Sequence, residues 1–401
     1  MGDPLAAIAA YETVVSRFGD APEAALREEV ARALVGKGFT HRQLGDPLAA
    51  IAAYETVINR FGDAPEAALR AQVAQALVNK GFAHGQMGDP LAEIAAYETL
   101  ITWFGDAPEA ALREQVARAL VNKGITHREM GDPLAAIAAN ETVINRFGDA
   151  PEVALREQVA MALVNKGFAH RQMGDPLAGI AAYETVINWF GDAVEPELTE
   201  SVSHARNNLA SLLTDFEIQS GRAEELLTEA AKRGHQLADS NRAYLALSQG
   251  HLDKAIALRP AFSDLPPPAL HLFDAAVAFA QMNFGTATDH LAEALQHDLQ
   301  TPVGNFTYDL DRVLRLAERQ GFGEALIAWF ERTGFADRLA PIFVAFVAYV
   351  RGEQVLKDKN PEVREPATVL YRRLSAPRRF REQQQPPPPS PRRRGRPRRT
   401  G

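Results

Sequence analysis

Apolar residues recur at steps of three and four positions along most of the chain, which is the spacing of one face of an α-helix. In residues 45–62 the positions that fall on this face are Leu48, Ile51, Tyr54, Ile58 and Phe61. Asp46 can cap the helix through its carboxylate, and Pro47 suits the first helical position because its missing N–H would have no partner there. Gly62 is expected to end the helix in a left-handed conformation.

Another amphipathic helix is predicted directly after this one, with the stripe Leu69, Val73, Leu77, Gly81 and His84. Asp63 and Glu66 have the spacing of a capping box at its start. The pattern continues to Met87, which gives a helix of about 35 Å at about 1.5 Å per residue. Gly81 costs about 1 kcal/mol relative to alanine inside this helix, so a neighbouring helix is expected to approach closely there.

The helix pair repeats along the chain, and its opening glycine returns every 43 residues, at Gly2, Gly45, Gly88, Gly131 and Gly174. A fixed period of this length is typical of solenoids, in which amphipathic pairs stack to bury their faces. No segment alternates apolar and polar residues over a sustained length, so the sequence predicts an all-α solenoid. If each unit is instead counted from the helix that contains Leu69 to His84 or its copies, the sequence starts with the second helix of a unit. The open flank of that first helix favours self-association through it, or an array that continues upstream of Met1.

The repeat resembles the tetratricopeptide repeat (TPR), whose pattern is W-x2-L-G-x2-Y followed by A-x3-F. Leu34, Gly38 and His41 stand at the Trp, Gly and Tyr positions, and Ala50 and Tyr54 match the A-x3-F step. The resemblance covers residues 1 to about 194. It implies a right-handed α-solenoid of antiparallel helix pairs.

Two features depart from the TPR pattern. The period is 43 residues rather than 34, which predicts a longer first helix and is also similar to HEAT and armadillo arrays. Where leucine is usual the chain has Lys37, Lys80, Lys123 and Lys166.

The pattern divides the chain into four parts. Residues 1–194 form the TPR-like array, 195–262 are degenerate TPR-like helices, 266–375 are a C-terminal helical region, and 376–401 are a disordered tail rich in proline and arginine. The C-terminal region is similar to the ends of large bacterial TPR proteins.

Composition narrows the class of protein. The chain has no cysteine, which excludes disulfides, cysteine-ligated zinc and thiol catalysis. The longest apolar run, 339–350, is too short to cross a bilayer, and nothing near Met1 resembles a secretory signal, so a cytoplasmic location is expected. The net charge of −8 is uneven, because residues 376–401 hold nine arginines and one glutamate, a net +8 that leaves −16 for the rest.

The sequence carries no catalytic signature. The phosphate-binding, zinc-protease and acyl-transfer motifs G-x-x-x-x-G-K-[ST], H-E-x-x-H and G-x-S-x-G are absent. His41, His84, His127 and His170 occur once per repeat without accompanying carboxylates, and we interpret them as semi-buried packing residues. We therefore expect no enzymatic activity, no cofactor and no metal.

In TPR arrays the first helix of each pair lines a concave groove. The resemblance assigns this peptide-binding role to Val35, Phe39, Arg42, Gln75, Asn79, Phe82, Arg118, Asn122, Ile125, Met161, Asn165, Phe168 and Arg171. Asn79, Asn122 and Asn165 share one position, and such a ladder of donors and acceptors could pair with an extended peptide backbone. Because the repeats are near-copies, duplication alone also produces a ladder.

Within the tail, Arg394, Gly395, Arg396 and Pro397 resemble an AT-hook, a short motif that binds A·T-rich minor grooves. Nonspecific polyanion binding, a solvated tail without a ligand, and folding of the basic tail onto the acidic body are the alternatives.

The leading hypothesis is a non-enzymatic protein–protein interaction scaffold that binds a peptide or partner helix in the concave groove. One alternative is a nucleic-acid-associated protein that uses the tail. Another is the sensor or regulatory part of a larger multidomain effector. No membrane partner is expected, and the sequence names neither the partner nor the oligomeric state.

Overall fold

A computed structural model describes residues 3–297, 305–353 and 360–384 of the chain. All regular elements in these ranges are helices, which confirms the predicted all-α solenoid, while its hand stays a prediction. The described chain forms two units. The first consists mainly of residues 3–214 and 219–266, and the second of 215–218, 267–297, 306–353 and 360–384. The division at 266–267 falls at the predicted proline break, and the other predicted boundaries stay predictions.

The repeats of the first unit contain helices α1 (Pro4–Phe18), α2 (Ala24–Gln43), α3 (Pro47–Phe61), α4 (Ala67–Gln86), α5 (Pro90–Phe104), α6 (Ala110–Glu129), α7 (Pro133–Phe147), α8 (Val153–Met173), α9 (Pro176–Phe190) and α10 (Pro196–Asp215). They are followed by α11 (Ser220–Lys232), α12 (Ala238–Ser248), α13 (Leu252–Leu258) and a 3₁₀ turn, Arg259–Phe262.

Two kinds of helix alternate in the array. The first helices of the repeats, α2, α4, α6 and α8, have 20 or 21 residues, whereas the second helices, α3, α5, α7 and α9, have 15. The predicted longer first helix is therefore confirmed. Each first helix packs on the second helices before and after it, and α2, α4, α6 and α8 also pack on one another in sequence.

The second helices start as the sequence predicts. Asp46 Oδ1 accepts a hydrogen bond from the Ala49 N–H at 3.0 Å, which caps α3. The left-handed residue is Gly45, with φ of 76°, at the turn before this cap. The left-handed stop predicted at Gly62 is wrong, because its φ is −57°. Gly62 is needed for room instead, since a Cβ there would lie 2.6 Å from a carbonyl oxygen of its own helix.

The first helices start differently from the prediction. Helix α4 begins at Ala67 after Glu66, and the side-chain hydrogen bond of the predicted capping box is not formed. The Glu66 carboxylate instead pairs with Arg27 of the preceding first helix. The same pairing recurs along the array as Arg70–Glu109, Arg113–Glu152 at 2.6 Å and Arg156–Glu195 at 3.2 Å.

The predicted close approach at Gly81 is confirmed. A Cβ added there would lie 2.4 Å from Cε1 of Tyr97, whose side chain is fully buried. Gly38 meets Tyr54 and Gly167 meets Tyr183 in the same way. This contact fixes the spacing of first and second helices, because no side chain larger than hydrogen fits between them.

The apolar stripe predicted for the second helices contains one error. Leu48 is 65% exposed, whereas Ile51, Tyr54 and Phe61 of the same stripe are buried. Leu48 lies in the first turn of α3, at the end of the helix pair, where a neighbouring helix does not cover it.

The second unit contains α14 (Pro267–Ala280), α15 (Phe284–His297), α16 (Asn305–Arg319), α17 (Gly323–Arg332), α18 (Phe335–Arg338), α19 (Ala340–Arg351) and α20 (Pro361–Gln384). Helix α20 continues to Gln384, past residue 376 at which the tail is predicted to start. Phe380 packs edge-on against Phe216 with ring centres 5.7 Å apart, and Arg381 pairs with Glu217 at 2.7 Å. These contacts anchor the last turns of the helix.

Candidate functional site

The predicted groove residues lie on the first helices at three levels of exposure. Phe39 and Phe82 are exposed, at 42% and 38%. Asn79, Asn122 and Arg171 are buried. Eight are half-buried: Val35, Arg42, Gln75, Arg118, Ile125, Met161, Asn165 and Phe168. We call the surface that the exposed and half-buried members share the first-helix face.

The asparagine ladder is not displayed to a ligand in the way that we expected. Asn79 is 8% exposed and Asn122 9% exposed, since the first helices pack on one another at this level. Asn79 Oδ1 accepts a hydrogen bond from Gln75 Nε2 at 3.1 Å, and Gln75 Oε1 accepts one from Gln115 Nε2 of the next first helix at 3.3 Å. We therefore interpret Asn79 and Asn122 as packing residues of the array.

Arg171 has a similar packing role. It is 7% exposed, and its Nη1 donates to Ser211 Oγ of α10 at 3.1 Å. This bond joins two consecutive first helices, so Arg171 is not open to a ligand.

The first-helix face does display a row of apolar side chains, 43 residues apart: Phe39, Phe82, Ile125 and Phe168. Arginines stack on two of the rings. The Arg42 guanidinium lies 5.3 Å from the centre of the Phe39 ring, and that of Arg128 lies 4.7 Å from the centre of the Phe168 ring. The row thus combines apolar area with cationic planes, as protein-binding surfaces often do.

A cavity of about 850 Å³ lies at the end of this row, and we call it the end pocket. Phe168 of α8, residues of α10 and the turn 233–237 before α12 line it. Its α10 residues Glu200, His204 and Asn208 follow Glu157, Met161 and Asn165 by 43 residues. These α10 positions were not predicted because the repeat pattern decays after Asp192, although the 43-residue register alone locates them.

Several carboxylates lie near Glu157 of α8, and one of them is Glu200 of the end pocket. Burial raises the pKa of Glu157, and the neighbouring carboxylates of Glu197, Glu114 and Glu200 raise it further, while Arg118 opposes them. Such mutual repulsion indicates a negative potential on this part of the first-helix face.

Two histidines meet in the end pocket. The rings of His204 and His235 pack edge-to-face with centres 5.0 Å apart. Burial and the neighbouring His204 lower the pKa of His235 to about 4. His235 Nδ1 accepts the Leu237 N–H at 3.3 Å, which leaves the proton of the neutral ring on Nε2.

A second apolar row, which we call the turn row, lies at the turns that join first and second helices and was not predicted from the sequence. Its exposed members are Leu44 and Leu48, Met87 and Leu91, Met130 and Leu134, and Met173 and Leu177. The signal was present in the sequence, because four of the leucines directly follow the N-terminal proline of a second helix, namely Leu48, Leu91, Leu134 and Leu177.

The described ranges contain no group of three or more His, Cys, Asp or Glu side chains that could hold a metal ion. The repeat histidines are half-buried as predicted, and burial lowers the pKa of His84 and of His170. No helix in the described part of the chain has the length and apolar character needed to span a membrane. The AT-hook-like residues 394–397 lie outside the described residues.

Comparison with known proteins agrees with the helix-pair geometry. The family model of the tetratricopeptide repeat matches residues 31–61, which include the end of α2 and all of α3. The chain is a TPR-like repeat protein. No curated protein matches its sequence.

Three solved structures are similar to this TPR-like chain. A tetratricopeptide repeat protein from Parabacteroides merdae ATCC 43184 has 14% identity and a TM-score of 0.49, with 71% of this chain and 98% of that chain covered. BtubC (BKLC) from P. vanneervenii has 12% identity and a TM-score of 0.33, with 76% and 96% covered. Naa15/Naa10 bound to HypK-THB has 14% identity and a TM-score of 0.24, with 94% and 75% covered.

The structure explains why this TPR-like array has lysine where leucine is usual. Lys80 Nζ lies 2.8 Å from the Glu55 carboxylate of the preceding second helix. The other three lysines make the same contact at 2.7 Å, in the pairs Lys37–Glu12, Lys123–Glu98 and Lys166–Glu141. The lysines therefore form a ladder of ion pairs between neighbouring helices.

Proposed function

We propose that this TPR-like chain is a non-enzymatic scaffold that binds a segment of a protein partner along its first-helix face. TPR repeats are typical of protein-interaction scaffolds, which supports the general class. The observation that carries the more specific proposal is the row of exposed Phe39 and Phe82 and half-buried Ile125 and Phe168, whose last member lines the end pocket.

The row has the properties of a binding surface rather than of an unfinished core. Phe39 and Phe82 stay exposed in the same register, and exposed large apolar side chains that recur together are typical of protein-binding sites. Truncation of a buried aromatic anchor in an interface costs about 2 kcal/mol or more. A partner that covers Phe82 should therefore depend strongly on its ring.

Site-specific photo-crosslinking of the full chain tests this proposal. Phe82 is replaced by benzoylphenylalanine, and the matched control carries the same group at Leu91, an exposed apolar residue of the turn row. Adducts formed in an extract of the source cells are identified by mass spectrometry. The affinity of the identified partner is then measured for Phe82→Ser and Leu91→Ser.

We expect an adduct at position 82 that is absent at position 91, and binding at least about tenfold weaker for Phe82→Ser, which corresponds to about 1.4 kcal/mol. Leu91→Ser should bind like the unmodified chain. Equal labelling at both positions, or full affinity of Phe82→Ser, would contradict binding along the first-helix face.

Nucleic-acid association through Arg394–Pro397 stays a prediction, because these residues lie outside the described part of the chain. Deletion of residues 385–401 separates this activity from the scaffold function. If the tail binds DNA, deletion should abolish a salt-sensitive DNA affinity and leave the photo-adduct at position 82 unchanged.

A further inference from the structure

The lining of the end pocket differs in chemistry from the apolar row of Phe39, Phe82, Ile125 and Phe168. Its lining combines the apolar side chains of Phe168, Val194 and Leu237 with the polar side chains of Glu200 and Asn208. A volume of about 850 Å³ exceeds what one side chain needs. The pocket can therefore admit a side chain together with part of the segment that bears it.

Glu200 differs from the carboxylates that hold the array together. Those of the array, such as Glu55 and Glu152, each have a lysine or arginine within 3 Å. Among the described residues, the ion-pair contact of Glu200 is with His204, whose Nε2 lies 3.7 Å from Glu200 Oε1. A histidine ring is charged only when it is protonated. The Glu200 side chain is 75% exposed at the rim of the pocket, so an incoming cation would meet a carboxylate there whose charge no permanent cation offsets.

The positive groups around the pocket do not fill this role. Arg233 lines the cavity, but its Nε is bound to the Glu229 carboxylate at 2.9 Å. His235 also lines it and is neutral at pH 7, since burial and His204 hold its pKa near 4. Its ring offers an uncharged aromatic face and one N–H donor.

We propose that the end pocket receives an arginine or lysine side chain of the segment that binds along the first-helix face. The aliphatic stem packs on Phe168, Val194 and Leu237, and the cationic head lies against Glu200. This inference rests on the proposed scaffold function and adds to it the charge of the ligand and the point at which its register is fixed.

Methyl-detected NMR of the full chain tests the pocket without a known partner. The probe is N-acetyl-arginine amide, and its matched control is N-acetyl-citrulline amide, which has nearly the same shape and no charge. The methyl signals of Val194, Thr199 and Leu237 report on the pocket, and those of Val57, in the buried core of the array, report on nonspecific effects. The variant Glu200→Gln removes the carboxylate, and Glu225→Gln removes an exposed carboxylate of α11 as its control.

The arginine probe should shift the three pocket signals in a saturable way, with a Kd on the order of 1 mM for a ligand of this size. The citrulline probe should bind at least about tenfold more weakly, and Glu200→Gln should abolish this difference while Glu225→Gln keeps it. Equal binding of both probes, no saturable response to arginine, or an unchanged response in Glu200→Gln would overturn the assignment.

Failure of this inference and failure of the scaffold function give different results. If the pocket takes no cation but the partner lies on the first-helix face, the NMR response is absent and the photo-adduct at Phe82 is still formed. If the scaffold function is wrong, the adduct is absent whatever the NMR experiment shows.

Discussion

The repeat formed by α6 and α7, which is the fourth when α1 is counted as the end of a first repeat, contains an internal test of how the helix pairs are stabilised. Where three repeats place a fully buried tyrosine, this repeat has Asn140, also with no exposed surface. Its Nδ2 donates to the Ala136 carbonyl at 2.8 Å, but its Oδ1 is buried without a hydrogen-bond partner. We predict that Asn140→Tyr stabilises the protein, because it restores the ring that the neighbouring glycine, Gly124, is there to accommodate.

The magnitude follows from three contributions. The ring adds on the order of 100 Å² of buried apolar area, which contributes about 2.5 kcal/mol at about 25 cal/mol per Å². Removal of the unpaired Oδ1 contributes about 1 kcal/mol more, and loss of the hydrogen bond to Ala136 costs about the same. The new hydroxyl should face Arg128, the counterpart of the Arg42 that faces Tyr54. The last two contributions cancel, so we expect a net stabilisation of about 2.5 kcal/mol.

Urea unfolding followed by far-UV circular dichroism measures this change. Because arrays of repeats can unfold in steps, hydrogen exchange of α6 and α7, the helices that hold Gly124 and residue 140, should accompany it and show where the gain lies. The mirror variant Tyr54→Asn introduces the same defect into an intact repeat and should lose a similar free energy.

The reasoning would be refuted if Asn140→Tyr left the free energy of unfolding unchanged or lowered it while Tyr54→Asn was destabilising. That outcome would mean that the fourth repeat has closed around its asparagine and that Gly124 no longer marks space for a ring.

Three further predictions test other parts of the array. Gly81→Ala should destabilise the chain by about 1–3 kcal/mol in urea unfolding, because its methyl group would overlap the ring of Tyr97. Arg113→Met should cost about 1 kcal/mol or less, and the loss should shrink in high salt, since both partners of the Arg113–Glu152 pair are half-exposed. The pH test concerns His235. Its folded pKa of about 4 lies below its ordinary value of 6.5, so the unfolded chain takes up the proton first as the pH falls. The free energy of unfolding should be highest above pH 6.5 and decline toward pH 4. The decline should be roughly 1–2 kcal/mol, because the ring is only partly buried. Urea unfolding measured over that pH range should show this slope in the unmodified chain and not in His235→Asn.

Most of the fold was predictable because the signals that define it are local and are repeated. The caps at Asp46 and its copies, the 43-residue period and the glycine at Gly81 each follow from the conformation or the space that one residue type requires. The errors arose where a neighbouring helix decides the outcome. Glu66 pairs with Arg27 of the preceding repeat rather than capping its own helix, and Leu48 is uncovered because the helix pair ends there.

The candidate site was less predictable for the same reason. Periodicity locates Asn79 on the first helix but does not tell whether the next first helix covers it, and the structure shows that it does. Conversely, the end pocket forms where α10 meets the turn before α12, a contact between segments that do not resemble each other. The apolar row of the first-helix face could be predicted, because the position of each member, such as Phe82, depends only on the register of a single helix.

In an array of near-copies, residues that stay the same from copy to copy mostly hold neighbouring repeats together. Lys80 with Glu55 and Gly81 with Tyr97 are examples, and each copy needs them to dock on the one before. A ligand recognised only by such repeated features could bind in any register, shifted by one or more units. A single register requires positions at which the copies differ, and the first-helix face has one, occupied in turn by Arg32, Gln75, Arg118, Met161 and His204. The last of these lies in the end pocket, so the pocket is where a partner that binds in one register is expected to be recognised.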